Sequence, residues 1–222
     1  MNILKNFHPN KLIAEYHSNF NGTIQVKSEF GQPRVIVDKF PQSGGIVQSI
    51  LKTALKQFHE PQNFLLLGLG GGAILHEVKR LWPKSQLTAV EIDENMIHIA
   101  RTYFQIEQIS NLNIIHQNAV TFLQTHSHNT NRKYEAILVD CYIGHQIPSI
   151  LETDEFLNDL NTIIKQTGSI CFNRLNARGQ QAHQSQKFIQ TVMRHFDYVE
   201  LKKNYCNLLV IARRPKVGYY NS

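Results

Sequence analysis

The run Phe64-Leu65-Leu66-Leu67-Gly68-Leu69-Gly70-Gly71-Gly72-Ala73, followed by Val90-Glu91-Ile92-Asp93, constrains this chain more than any other feature. A short apolar run breaks on glycines, an amphipathic stretch follows, and a second apolar run ends in acids. Strand, glycine turn, helix and acid-tipped strand together form a nucleotide-binding unit. Glycine backbone comes close to the ligand and turns tightly into a helix, and a carboxylate one strand away accepts both hydroxyls of a ribose. Gly68, Gly70 and Ala73 also fit the G-x-G-x-x-A dinucleotide pattern, so an NAD-type ligand stays open at this point, as does an α/β domain without a nucleotide.

Apolar runs of strand length alternate with helical stretches over most of the chain, which predicts an α/β domain with a largely parallel sheet. Phe64 to Leu67 reads as a buried strand, and Ala73 to Leu81 as a helix with Ile74, Leu75, Val78 and Leu81 at helical spacing, stopped near Pro83. Gln86 to Glu91 is the second strand, a helix opens at Asp93 or Glu94 and runs through Phe104, and Leu112 to His116 is the third strand. A short helix over Val120 to Gln124 leads into the polar loop His126 to Arg132. Tyr134 to Asp140 is the fourth strand and ends in an acid; Thr153 caps the next helix, which Gly168 ends before the strand Ser169 to Asn173. After a helix from about Gln181 to His195, strands Tyr198 to Leu201 and Asn207 to Ala212, joined by Lys202 to Tyr205, suit an antiparallel hairpin at the sheet edge. Ahead of the glycine turn, Thr23 to Ser28 and Arg34 to Val37 read as a hairpin, and Gly44 to His59 as a helix. The expected division is a hairpin segment over 1–43 and a Rossmann-like nucleoside-binding catalytic domain over 44–222.

At 222 residues and 42% hydrophobic content the chain can bury a full core. No apolar run is long enough to span a bilayer and Met1 to Lys11 holds no secretory apolar segment, so a cytoplasmic protein without a membrane partner is expected. The net charge of +6 comes from scattered residues rather than a Lys/Arg block, so nucleic acid is not the expected partner. Cys141, Cys171 and Cys206 lie far apart with no C-x-x-C pair, and the His126-x-His128 pair has no acid or cysteine neighbour, so neither disulfide nor metal site is expected.

Several segments together resemble the spermidine synthase (polyamine aminopropyltransferase) family and its methyltransferase-like relatives, over nearly the whole chain from Gly22 to Ala212. Gly22 to Val26 with Val35 to Gln42 is similar to that family's N-terminal hairpin leading to a ligand-facing glutamine, and Leu67 to Val78 to its glycine loop and helix. Val90 to Asp93 is similar to its ribose-binding strand end, Asn118 to Leu123 to its adenine-side segment, and Tyr134 to Asp140 through Thr153 to Phe156 to its catalytic strand and gating loop. The resemblance implies a Rossmann-like S-adenosylmethionine-dependent methyltransferase fold, a mostly parallel sheet with a terminal antiparallel strand behind a small N-terminal β-hairpin. The implied cofactor is S-adenosylmethionine, its decarboxylated form or methylthioadenosine. Its cradle would comprise Gln42, Gly68, Gly70, Gly71, Gly72, Glu91, Ile92, Asn118, Ala119 and Asp140, with Gln48 as a further polar contact. Asp140, Tyr142 and His145 are the implied catalytic group, and a homodimer the implied assembly. Asn173, at the fifth strand's end, would face the same crevice.

The departures bear on the reaction. The resemblance implies an aspartate in the glycine loop to hold the ammonium of an aminopropyl donor, and Gly71 stands there; it implies a second gating-loop aspartate, and Ile143 stands there. Transfer to an amine bound as a cation and then deprotonated calls for several carboxylates. Methyl transfer from a sulfonium needs no acid for its leaving group, so positioning can suffice. The resulting expectation is an S-adenosylmethionine-type transferase that moves a methyl group to an unknown acceptor. A polyamine aminopropyltransferase and a catalytically inactive nucleoside-binding homologue are the alternatives.

Overall fold

The computed structural model describes residues 11–126, 134–176 and 179–216. The first part is an antiparallel sheet of β1 (Lys11–Ser18), β2 (Gly22–Glu29), β3 (Gln32–Val37) and the two-residue β4 (Phe40–Pro41), in that spatial order. The sequence pattern predicts β2 and β3 alone. β1 escapes it because Lys11 to Ile13 are exposed, apolar Leu12 and Ile13 included, and the alternation from Ala14 to Ser18 is only between half-buried and exposed residues, too short and weak a period-two signal. Ile24, Val26, Val35 and Val37 on the inner face pack onto Met96 and Ile99, each fully buried side chain contributing roughly 2 kcal/mol.

α1 (Gly45–Leu55) then leads into the second sheet through β5 (Asn63–Leu67), α2 (Ala73–Leu81), β6 (Gln86–Glu91), α3 (Glu94–Phe104), β7 (Leu112–His116), α4 (Ala119–His126) and β8 (Tyr134–Val139). It continues through α5 (Asp154–Ile163), β9 (Ile164–Leu175), α6 (Gln180–His195), β10 (Phe196–Asn204) and β11 (Asn207–Pro215). The seven strands lie in the order β10-β11-β9-β8-β5-β6-β7. β5 through β9 run parallel, and β11 pairs antiparallel with β9 and with the edge strand β10. β5 shows why its run is continuously apolar: Phe64 and Leu66 enter the core on one face, and Leu65 and Leu67 the core on the other.

The chain leaves β5 toward β6 and β7, then returns to place β8 on the opposite side of β5. The crevice at the carboxyl ends of β5 and β8 is therefore the topological switch point, where ligands bind in open α/β sheets. Asp93 fixes the two sheets to one another. Its Oδ1 accepts from Asn95 N at 3.0 Å as the α3 N-cap, while its Oδ2 accepts from Ser18 Oγ and from Asn21 Nδ2 at 2.8 Å.

Three local expectations need correction. α5 ends at Ile163 and β9 begins at the next residue, so Gly168 lies inside a strand. Between the pairs Tyr134↔Ile164 and Ala136↔Ser169 the longer side bulges, and a Cβ on Gly168 would lie 2.7 Å from Ile164 Cδ1 and 3.0 Å from Glu135 O. Glycine there serves close strand approach rather than a helix stop. The final hairpin is also tighter than its sequence suggests: β10 runs to Asn204, and Tyr205 and Cys206 form the turn, with Tyr205 at φ 54. His126 closes α4, stacked on Phe122 with ring centroids 4.1 Å apart, rather than opening a loop; His128 lies outside the described residues. Among the described residues no helix is long and apolar enough to cross a membrane.

Candidate functional site

A cavity of about 1080 Å³, counted out to its open mouth, occupies the switch-point crevice. The glycine loop (68–74), the end of β6, residues 117–119, the loop after β8 and the segment 42–44 with α1 line it, together with Asn21 and Met96. Gln42, Gly68, Gly70, Gly71 and Gly72 line it, as do Glu91, Ile92, Asn118, Ala119 and Asp140. Tyr142 and Gln48 line it too. His145 and Asn173 are not among the lining residues. The His145 ring packs on Phe40, centroids 4.7 Å apart, while Asn173 acts from behind Asp140.

Gly68 makes the crevice as narrow as it is. Its φ is +89, and a Cβ there would lie 2.4 Å from Asp140 O, so only glycine lets the β5 end close against the β8 end. Gly71 has an ordinary φ, yet a Cβ on it would lie 2.8 Å from Phe104 Cζ: the ring fills the space a side chain would need.

Glu91 is buried, and both its oxygens are engaged by backbone. Oε2 accepts from Leu69 N at 2.8 Å; Oε1 accepts from Ile92 N at 2.9 Å and Asp93 N at 3.0 Å. Burial pushes its carboxyl above the usual range, Asp93 adds a smaller push upward, and the backbone donors work against both. The carboxylate thus ties the glycine loop to the end of β6 while lining the cavity. Asn118 Oδ1 accepts from Val120 N at 2.8 Å, so this amide caps α4 and keeps one lone pair and its NH₂ for a ligand.

Asp140 stands across the crevice at the end of β8. Its Oδ1 accepts from Asn173 Nδ2 at 2.7 Å, and Asn173 Oδ1 accepts from the buried Asn207 Nδ2 at 2.8 Å. Burial pushes the Asp140 carboxyl up to about 7, with the Glu91 charge adding to the rise and the Asn173 bond opposing it. A carboxyl poised there exchanges its proton near neutrality, as a general base requires. Tyr142 donates its hydroxyl to Asn173 O at 2.9 Å, and burial holds its acidity well below that of a free phenol, which opposes a phenolate. Burial likewise pushes the Cys141 thiol well up, which opposes a thiolate.

The loop after β8 is anchored at both ends. Gln42 Nε2 donates to Gly144 O at 2.9 Å, and Gly144 N donates to Asn21 Oδ1 at 3.3 Å. Further on, Glu152 pairs with Arg174, whose guanidinium stacks 4.2 Å from the Phe188 ring centroid. Among the described residues no group of three or more His, Cys, Asp or Glu is placed to hold a metal ion. Sequence reasoning missed Asn21, Phe104 and Asn207. Each acts on a residue far away in the chain, and no local pattern marks such a contact.

Residues 46–210 match the spermine/spermidine synthase domain. A polyamine aminopropyltransferase from Vibrio vulnificus (strain CMCP6) is 29% identical over 126 residues, covering 57% of this chain and 42% of that one. The chain spans about half the length, or less, of the first such relatives. Among solved structures, spermidine synthase from Thermotoga maritima superposes with TM-score 0.74 at 14% identity, over 92% of this chain and 73% of that one. Human methyltransferase-like protein 13 in complex with SAH superposes with TM-score 0.67 at 18% identity, over 81% and 86%. At these identities the superpositions speak for the fold, which is Rossmann-like.

Proposed function

Since the chain belongs to the spermine/spermidine synthase domain family, we propose that it is a transferase that takes an adenosyl-sulfur donor in the switch-point cavity and moves a methyl group to an acceptor held at Asp140. A sulfonium donor supplies an electrophilic methyl carbon, which passes to the acceptor's nucleophile as its bond to sulfur breaks. Glu91 would accept the ribose hydroxyls, Asn118 would meet the adenine edge, and the backbone of Gly68 to Gly72 would run along the sulfur arm. The residues suit such a group: Gly68 and Gly70 have positive φ, bare backbone faces the cavity, and a carboxylate is already fixed on the ribose side. Asp140 would take a proton from the acceptor, with Asn173 and Asn207 behind it.

The observation that carries methyl over aminopropyl transfer is the contact of Gly71 with Phe104. An aminopropyl arm ends in a lone ammonium, which calls for a net negative charge; Gly71 lines the cavity with bare backbone, and the Phe104 ring behind it leaves no room for a carboxylate side chain at that position. A methionine arm carries ammonium and carboxylate together, and the mixed donors and acceptors of a glycine loop suit that zwitterion. The relatives named polyamine aminopropyltransferase favour the second reading, a decarboxylated donor with a polyamine acceptor.

Thermal unfolding with S-adenosylmethionine, decarboxylated S-adenosylmethionine, methylthioadenosine, S-adenosylhomocysteine and NAD tests both. A ligand at about a hundred times its Kd adds about 2.7 kcal/mol, a rise of roughly 5–10 °C for a domain this size. S-adenosylmethionine and S-adenosylhomocysteine are expected to shift the midpoint most. A larger shift with the decarboxylated donor, together with consumption of putrescine, selects the second reading. No shift with any sulfur nucleoside sinks both.

A further inference from the structure

The cavity has two halves of different chemistry. On the nucleoside side lie the glycine loop, Glu91 and the polar residues Gln117 and Asn118. The other side is a wall of Tyr142, Ile143, Pro148, Ile150 and Leu151 from the loop after β8, with Val47, Gln48 and Leu51 of α1 also lining the cavity. Among the described residues lining the cavity the carboxylates are Glu91 and Asp140, and there is no Lys or Arg. Glu91 already accepts three backbone N–H groups on the far side. Asp140 is therefore the one lining carboxylate on the acceptor side among the described residues, with Asp38 beside Gly144 and Glu152 paired to Arg174 outside the lining, and one Asp140 oxygen already accepts from Asn173. Around it, Ile143 and Ile150 hold 41% and 51% of their surface open, apolar area that a ligand's hydrocarbon would cover.

We infer that the acceptor is a monoamine with an apolar body, its single nitrogen on Asp140 and its hydrocarbon or aromatic part against the wall of Ile143, Ile150 and Leu151. This rests on the transferase reading above and names its substrate class. A diamine or longer polyamine would bring a second ammonium to the apolar wall, where no described lining residue besides Asp140 and Glu91 is an anion. Moving a cation from water into such surroundings unpaired costs affinity far beyond what its chain contacts return.

Putrescine and n-pentylamine test this directly, since they match in chain length and differ by a terminal ammonium against a methyl. Calorimetric titration of each into the protein saturated with methylthioadenosine should give a Kd for n-pentylamine at least about tenfold lower than for putrescine. Ile143→Asp, which sets a carboxylate on the wall, should erase that ratio; Ile150→Asp, at the more exposed position, is the second variant should the first not fold. Putrescine binding as tightly as n-pentylamine to the unaltered protein overturns the inference, as does a failure of both amines to bind or of both folded variants to change the ratio. Each of those results leaves the transferase reading standing. No binding of methylthioadenosine or any other sulfur nucleoside overturns that reading itself.

Discussion

Asn207 donates its side-chain amide to Asn173 Oδ1 at 2.8 Å, and this contact decides which end of the Asn173 amide faces Asp140. With its oxygen held by Asn207, Asn173 has only NH₂ to offer, and it donates to Asp140 Oδ1 at 2.7 Å. The carboxylate form of Asp140 gains from that bond, which is why Asn173 opposes the rise that burial imposes.

Asn207→Asp is expected to turn the relay around. An acceptor at 207 draws the Asn173 NH₂ toward itself and leaves its oxygen for a protonated Asp140, and the added charge acts in the same direction. The groups already facing Asp140 are Glu91, Cys141, Tyr142 and Cys171. The Asp140 midpoint, about 7 in the unaltered protein, should rise by about one unit or more, the size of one hydrogen bond to a charged group. Carboxyl ¹³C NMR of Asp140 through a pH titration reads this, and an unmoved midpoint would show that Asn207 does not set the relay.

Asp140 also gives stability a particular pH dependence. Its carboxyl titrates about 7 in the folded protein against 3.8 as a free side chain, so the folded state binds the proton more tightly. Stability from this group is therefore full below the lower value, falls as pH rises through the window to about 7, and is flat above it. Asp140→Asn should be more stable than the unaltered protein by on the order of 2 kcal/mol near pH 8, allowing for partial exposure, and should gain nothing near pH 4. Urea unfolding at both pH values decides it; equal gains at the two would rule out this titration as the cause.

Glu91 separates binding from folding less cleanly than the sequence suggests. From sequence, Glu91→Ala should remove the ribose contact and leave the fold intact. The structure shows three backbone N–H groups that would lose their acceptor, at a cost of about 1–3 kcal/mol for each that stays unsatisfied. Glu91→Gln keeps one acceptor oxygen and removes the charge, so it should retain most of the stability while weakening methylthioadenosine binding by about tenfold or more. Retained nucleoside affinity in the folded Gln variant would mean that the ribose lies elsewhere.

Gly71 and Phe104 should behave as a coupled pair. Gly71→Asp alone forces its Cβ against the ring at 2.8 Å and should cost about 1–3 kcal/mol. In a Phe104→Ala background that cost should largely vanish, giving a coupling energy above about 1 kcal/mol in a double-mutant cycle by chemical denaturation. Additive costs would show that the ring is not what excludes a side chain at 71.

Much of the fold was legible because its signals are local. β5, β6 and β8 announce themselves as continuous apolar runs, α2 and α3 by helical spacing, and the crevice by glycines followed one strand later by Glu91. The misreadings at Gly168 and at Lys202 to Tyr205 are also local: a glycine that ends a helix and a glycine that lets strands approach look identical in sequence, as do the last strand residue and the first turn residue. β1 gave no signal because little of it is buried.

From the sequence alone come the α/β class, the glycine turn after β5 and the acids Glu91 and Asp140 at strand ends, since each follows from periodicity or from a residue type at a strand end. The tertiary structure alone decided what those residues face. It put the Phe104 ring in the place of a side chain at Gly71, tied both oxygens of Glu91 to backbone N–H groups, set Asn173 and Asn207 behind Asp140, and turned His145 onto Phe40. The reason is physical: a strand or helix is written in neighbours a few positions apart, whereas protonation, exclusion and charge balance in a cavity depend on groups brought together across dozens of residues by burial.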